Sequence, residues 1–209
     1  MNLKNIYWYF NGALSPKFCD ELIEHGNAQK ELLAITGKFK NKETLIGADL
    51  KDLKKKRDSN IAWLKDEWVY KEIIPYVKLA NENAGWNFQF DVTESFQFTK
   101  YRLNQYYGWH CDSWDIPYDT PEDKQIHNKI RKLSVICSLS DPKDYVGGEL
   151  EFAKNNNEPG KVVETGQCKE IIRRGSIIVF PSFMWHRVKK VTQGVRYSLV
   201  AWTCGKPYH

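Results

Sequence analysis

Three side chains in this sequence have the types and spacing of a metal site. His110 and Asp112 flank Cys111 in the run GWHCDSW, and a second histidine, His186, lies far downstream in FPSFMWHRV. On a strand, positions i and i+2 point to one face, so an imidazole and a carboxylate there can reach the same ion, and Cys111 should point away. Two histidines and one carboxylate on one face of an octahedron leave three positions open, the arrangement of non-haem ferrous oxygenases. The same set can also hold a catalytic zinc. Alternatively, His110 and Asp112 can act as general base and orienter in a hydrolase. An H-x-D pair alone does not choose among them.

The residues after His186 favour the oxygenase. Arg196 follows ten positions later and Ser198 two beyond that, with VTQG between and Gly194 suited to a tight turn. The pattern reads as a strand, a turn and a returning strand, in which Arg196, Ser198, Val200 and Trp202 share a face. A buried arginine needs a paired anion, and its planar fork holds a carboxylate through two parallel hydrogen bonds. The hydroxyl of Ser198 adds a third. A dicarboxylate that chelates iron at one end and meets Arg196 at the other is 2-oxoglutarate, which makes Fe(II), 2-oxoglutarate and O₂ the expected cofactors.

These residues must be held by a scaffold, and the pattern of the chain describes one. Residues 15–28 read as a helix capped by Ser15, with Pro16 in its first turn and Phe18, Leu22 and Ile23 on one face. The polar, charged stretch 37–57 reads as a loop with at most a short strand, flanking the site opening. A second helix is expected from Asp66 to Asn83, with Trp68, Ile73, Val77 and Ala80 inward, Gly85 ending it and a kink or break at Pro75. From Trp86 the period becomes two: Phe88, Phe90 and Val92, then Phe96 and Phe98, alternate with polar residues. Further strands are expected at 131–139, 148–153, 169–173, 176–180 and 195–203, punctuated by Gly147-Gly148, Pro159-Gly160, Gly175, Pro181 and Gly194. The reading is α+β: a double-stranded β-helix, or jelly roll, with N-terminal helices packed on the major sheet. It is a single domain over 1–209, with 1–85 a mostly helical support and 86–209 the core.

Bulk properties exclude several classes. The chain has 209 residues, a net charge of +5, 42% hydrophobic and 14% aromatic content. The lysines gather in KDLKKKR at 51–57 with no nucleic-acid motif behind them, so a solvated loop is expected and no nucleic-acid partner. Five cysteines with no C-x-x-C exclude a disulfide framework or a zinc ribbon. No signal-like or membrane-length apolar run is present, so the expectation is a cytoplasmic protein with no membrane partner. His25, His127 and His209 read as surface residues.

From about Thr99 to Thr203 the sequence resembles the prolyl 4-hydroxylase-type 2-oxoglutarate- and iron-dependent oxygenases, including their bacterial and viral PKHD-type members. The run from Tyr101 through Tyr107 to His110 and Asp112 matches Y-x-x-G-x-x-Y-x-x-H-x-D, with Asn104 in place of the glycine, a residue that also tolerates left-handed turns. The strand beginning at Arg131 leads into a Y-x-G-G-E-L segment, here Tyr145 to Leu150. Gly175 to Pro181, followed by His186-Arg-Val, resembles the distal-histidine strand. The resemblance implies that Tyr101 lines the cosubstrate pocket. It also implies that Ser138 or Cys137 stands where some members carry a second tyrosine, and that Arg196 aligns the chain with the PKHD and oxygen-sensing branches. The implied reaction couples decarboxylation of 2-oxoglutarate to succinate and CO₂ with hydroxylation of a C–H bond, with ascorbate as reductant. The substrate it favours is a prolyl residue in a peptide or protein. Segment 113–130 reads as a mobile lid, and Trp114, Tyr118, Trp185 and Arg131 are the candidate substrate-binding residues. Trp185 can equally pack under His186. Two rivals stand beside this reading: the same chemistry on a free amino acid or other small molecule, and a non-catalytic, metal-retaining β-barrel binding module.

Overall fold

The computed structural model describes residues 3–36, 47–114, 116–153 and 164–208. Its first helix, α1 (Pro16–Ala28), starts where the sequence directs it: the Ser15 side chain accepts from the Phe18 N–H at 3.1 Å, and Pro16 stands in the first turn. The third, α3 (Glu67–Asn83), runs through Pro75 without a break and buries Val69, Ile73, Val77 and Ala80. Trp68, expected inward, is instead 37% exposed at the side of the helix, edge-on to Phe18; Val69 takes the inward place.

Two large sheets and a two-stranded ribbon hold the rest. The larger combines β1 (Trp8–Phe10), β2 (Leu32–Leu33), β4 (Asn60–Leu64), β5 (Val92–Thr93), β6 (Phe96–Tyr101), β8 (Ile130–Ser138), β12 (Ile177–Pro181) and β15 (Arg196–Gly205). Its order is β1-β12-β8-β15-β6-β4-β2, with β5 also on β15. The smaller runs β11 (Thr165–Gln167), β10 (Leu150–Ala153), β13 (His186–Val188), β7 (Tyr106–His110) and β3 (Arg57–Asp58). A separate two-stranded ribbon pairs β9 (Tyr145–Gly147) with β14 (Val191–Gly194), and the pairings of all three sheets are antiparallel. This is the expected α+β jelly-roll core. The N-terminal region adds strands to both sheets as well as helices.

Strand alternation sorts the larger sheet into two faces. Phe96, Phe98, Leu133, Val135, Cys137, Ile177, Val179, Leu199 and Ala201 pack with α1 and α3 in one core. Ile136, Ile178, Phe180 and Tyr101 point the other way, into a second core shared with Leu150, Phe152 and Val188 of the smaller sheet. With one face under helices and the other under a sheet, the central strands are apolar on both sides. Gly26 lets α1 lie close on this sheet, since a Cβ there would come within 2.5 Å of the Phe98 ring.

Several expectations are corrected. Of the segment read as a loop, 37–46 lies outside the described residues, and α2 (Gly47–Lys56) is a helix. Its period rests on Leu53, fully buried, while Asp49 in the first turn and Lys54–Lys56 in the last suit the helix dipole. The phenylalanines at 88 and 90 are not on a strand. The Asn81 side chain bonds both the N–H and the carbonyl of Phe88, at 3.0 and 2.9 Å, and so supplies what a neighbouring strand would. Residues 169–171 form a 3-10 turn, not a strand. VTQG is not a turn but a short strand on β9, ending at Gly194 with φ +71, and it pairs with β9 and not with the strand after it. Among the described residues no helix is long and apolar enough to cross a membrane.

Candidate metal and cosubstrate site

Two adjacent strands of the smaller sheet bring the histidines together. β13 pairs with β7 so that His186 stands opposite His110, and their rings lie 4.1 Å apart. Asp112 arrives differently from the expected i, i+2 strand geometry, because β7 ends at His110. The Asp112 backbone N–H donates to the Ser182 carbonyl at 2.8 Å, which folds the chain back toward the histidines. One ligand atom from each of the three lies within 4.8 Å of the others. The Asp112 carboxylate is 3.7 Å from His110 Nε2 and 3.6 Å from His186 Nε2.

The hydrogen bonds decide which nitrogens are available. His110 Nδ1 lies 2.8 Å from the Gly108 carbonyl, and His186 Nδ1 lies 2.8 Å from the Met184 carbonyl. A carbonyl only accepts, so each Nδ1 carries a proton, and Nε2 is the ring nitrogen left to bind a metal. Burial, and then the charge of His186, hold the His110 pKa well below its usual value, so the ring stays neutral. For Asp112, burial acts to raise the pKa, but His186, His110 and Arg131 outweigh it and hold the carboxyl at about 2. Two imidazole Nε2 atoms and a carboxylate form the donor set that suits Fe(II). Ser134 donates to Asp112 Oδ2 at 2.7 Å, and Ser182 lies 2.9 Å from Ser134, so the carboxylate is oriented from behind.

Arg196, Ser198 and Tyr101 stand together on the inner face of the larger sheet. Arg196 is opposite Tyr101 in the pairing of β15 with β6, and Ser198 is opposite Ser138 on β8. Arg196 is 2% exposed. Its guanidinium lies 3.4 Å from Ser198 Oγ and 5.5 Å from the Tyr101 ring centre, and among the described residues it has no carboxylate partner. Gly148 of the ribbon loop covers it: φ is +68, and a Cβ there would come within 2.8 Å of Arg196 Cδ. Strand alternation also separates Ser138 from Cys137. The serine faces the same way as Ser198, whereas Cys137 lies in the core under the helices.

The four candidate substrate residues are placed as follows. Arg131 is forked onto Glu94 at 2.7 and 2.6 Å and lies 3.8 Å over the Trp202 ring. Tyr118 donates to the same Glu94 at 3.1 Å. Trp114 is 65% exposed, and Trp185 is half-buried just before β13. The segment read as a lid is tied to itself, Tyr118 pairing with both Lys129 and Asn128. His127 accepts from the Thr120 N–H within it, and His25 lies 2.9 Å from Asp66, so neither is the bare surface residue expected; His209 is outside the described residues. Cys111 turns from the ligands to the Phe183 carbonyl, at 3.2 Å.

Comparison with known proteins agrees with this geometry. Residues 96–204 match the family model of the 2OG-Fe(II) oxygenase superfamily. The chain belongs to that superfamily, whose cofactors are Fe(II), 2-oxoglutarate and O₂. A PKHD-type hydroxylase of Psychrobacter sp. strain PRwf-1 is 33% identical over 105 residues, 50% of this chain and 36% of that protein. Another, from Xylella fastidiosa strain M23, is 29% identical over 51% of this chain and 42% of its own length. The match therefore covers less than half of either relative. The fold is similar over nearly the whole chain to a viral collagen prolyl hydroxylase of Paramecium Bursaria Chlorella virus-1, solved as a 2OG complex (TM-score 0.64, 19% identity, 97% of each chain). It is also similar to a Pseudomonas putida prolyl-4-hydroxylase (TM-score 0.65, 15% identity, 96% of this chain and 93% of that one).

Sequence reasoning missed Ser134, Ser182, Glu94 and Gly148. Ser134 and Ser138 were visible as the polar phase of an otherwise apolar strand. Glu94 carries no local signal, since its partner Arg131 is distant in sequence.

Proposed function

We propose that this chain is a 2-oxoglutarate- and Fe(II)-dependent dioxygenase that hydroxylates a prolyl residue in a peptide or protein and releases succinate and CO₂. The observation that carries the reading is the convergence of His110, Asp112 and His186, with a buried arginine, Arg196, that among the described residues has no carboxylate partner. When bound, Fe(II) and 2-oxoglutarate would activate O₂, the oxidant, one oxygen atom going to succinate and the other to the C–H bond, with ascorbate keeping the metal ferrous.

The chain's own residues bind and orient. His110, Asp112 and His186 would hold the metal together. Ser134 and Ser182 fix the carboxylate, and the Gly108 and Met184 carbonyls fix the imidazoles. Arg196 takes the far carboxylate of the cosubstrate, with Ser198 and Tyr101 beside it. The prolyl assignment is supported by relatives named as prolyl hydroxylases, one of them, from Trichoplax adhaerens, in complex with a peptide fragment.

The test is incubation of the Fe(II)-loaded protein with 2-oxoglutarate, ascorbate and a panel of proline-containing peptides, read by mass spectrometry. The expected result is one added oxygen on a prolyl residue with matching succinate, absent in His110→Ala. Failure of the folded, iron-loaded protein to convert 2-oxoglutarate with any peptide would overturn the proposal.

A further inference from the structure

A second buried guanidinium stands beside the site. Arg57 lies on β3, opposite Tyr107 in the pairing with β7, and is 5% exposed. Its Nε–H donates to Ser59 Oγ at 2.9 Å, and its guanidinium carbon lies 4.4 Å from the centre of the Tyr107 ring. Tyr107 in turn is stacked on His110, with centroids 3.4 Å apart and planes within 8°. Arg57 is thus one aromatic ring away from a metal ligand. Its charge also reaches Tyr101, on the cosubstrate side: burial raises both phenols, Tyr107 to about 12, and Arg57 opposes the rise in each.

Among the described residues Arg57 has no carboxylate partner, and its terminal nitrogens have no acceptor. The adjacent Asp58 is engaged by Lys54 and Gln105. A stacked ring compensates a buried guanidinium only in part, and such a group ordinarily holds an anion. The charges around the centre show that this anion is not already supplied. With both bound, the two charges of Fe(II) and that of Arg196 would be balanced by Asp112 and the two carboxylates of 2-oxoglutarate. Arg131 is cancelled by Glu94. Arg57 is left over as one positive charge beside a neutral centre, and a guanidinium fork is shaped for a carboxylate.

We propose that Arg57 is a specificity-determining residue that anchors a carboxylate of the substrate, so that the protein prefers a prolyl substrate with a carboxylate close to the reacting ring. The proposal rests on the oxygenase reading above and narrows its substrate class. A free C-terminal carboxyl and an adjacent acidic side chain present the same group.

The experiment uses the anaerobic Fe(II)-loaded protein and has two arms. In the first, 2-oxoglutarate is titrated into wild type and Arg57→Gln, read by the visible band of the iron chelate. The affinities are expected to agree within about three-fold. No band in wild type defeats the oxygenase reading, on which the anchor depends. A band in wild type with cosubstrate binding strongly weakened in Arg57→Gln would make Arg57 a cosubstrate residue and overturn the anchor alone.

In the second arm, three probes are added to the Fe(II)·2-oxoglutarate complex and followed by the shift of that band and by thermal melting. They are N-acetyl-L-proline, N-acetyl-L-prolinamide and the capped dipeptide acetyl-prolyl-aspartyl-amide. At least one carboxylate probe is expected to bind about ten-fold or more tightly than the prolinamide, and which one does identifies the source of the carboxylate. Arg57→Gln should abolish the preference and Arg57→Lys should keep part of it. No preference in wild type, or the same preference in Arg57→Gln, overturns the proposal.

Discussion

Replacing Gly148 with alanine should damage cosubstrate binding by a route that involves no ligand contact of its own. At φ +68 an alanine costs about 1–2 kcal/mol in backbone conformation alone. The new Cβ would lie 2.8 Å from Arg196 Cδ and 3.1 Å from Val191 Cγ2. Arg196 is buried, so its stem has little room to yield, and its head must turn off the line it shares with Ser198. Losing one charged hydrogen bond to a carboxylate costs about 1.5–3 kcal/mol, which is about 10- to 100-fold in affinity. The assay is anaerobic titration of 2-oxoglutarate into Fe(II)-loaded Gly148→Ala. Gly85→Ala is the control: φ there is +72, yet nothing lies within 4 Å of its new Cβ. It should lose stability by the same backbone cost and bind 2-oxoglutarate as wild type does. Equal 2-oxoglutarate affinity in Gly148→Ala and Gly85→Ala would refute the placement of Arg196 under this loop.

Other perturbations follow from the packing. Ser15→Ala removes the cap of α1 and should cost about 1 kcal/mol, lowering Tm by about 2–4 °C, as measured by calorimetry. Gly26→Ala drives a methyl into the Phe98 ring and should cost about 1–3 kcal/mol; an unchanged Tm would show that α1 rides higher on the sheet. Glu94→Leu leaves the largely buried Arg131 without its counter-charge, and the cost should be about 2–3 kcal/mol. The double variant Glu94→Leu, Arg131→Met should recover much of that loss in urea unfolding, and failure to recover would mean that the pair acts as more than mutual neutralisation.

The convergence of the candidate site was legible because most of its residues are polar positions on regular strands. His186, Arg196 and Ser198 follow apolar runs whose period fixes which residues face inward, and Ser15-Pro16 announces α1. The misreadings occurred where a side chain or a charge pattern overrides the period. The alternation through Phe88 and Phe90 looks like a strand, but Asn81 holds the backbone of Phe88 in place of a neighbouring strand. The lysines of α2 hid a helix whose apolar anchor is Leu53. The placement of Asp112 was right for the wrong reason, since a backbone bond to Ser182 brings it in and not strand geometry. Arg57 read as the end of a solvated charge run, because only the pairing of β3 with β7 buries it beside Tyr107. Contacts of that kind join distant parts of the chain and leave no local trace.

We propose that His110, Asp112 and His186 hold Fe(II) and that Arg196 holds 2-oxoglutarate. Anaerobic addition of 2-oxoglutarate to the Fe(II)-loaded protein tests it directly, through the weak visible charge-transfer band of the chelate. A band is expected in wild type, none in His186→Ala, and in Arg196→Ala a band that needs much higher 2-oxoglutarate. Absence of a band from folded, iron-loaded wild type, or its persistence in His186→Ala, would contradict it.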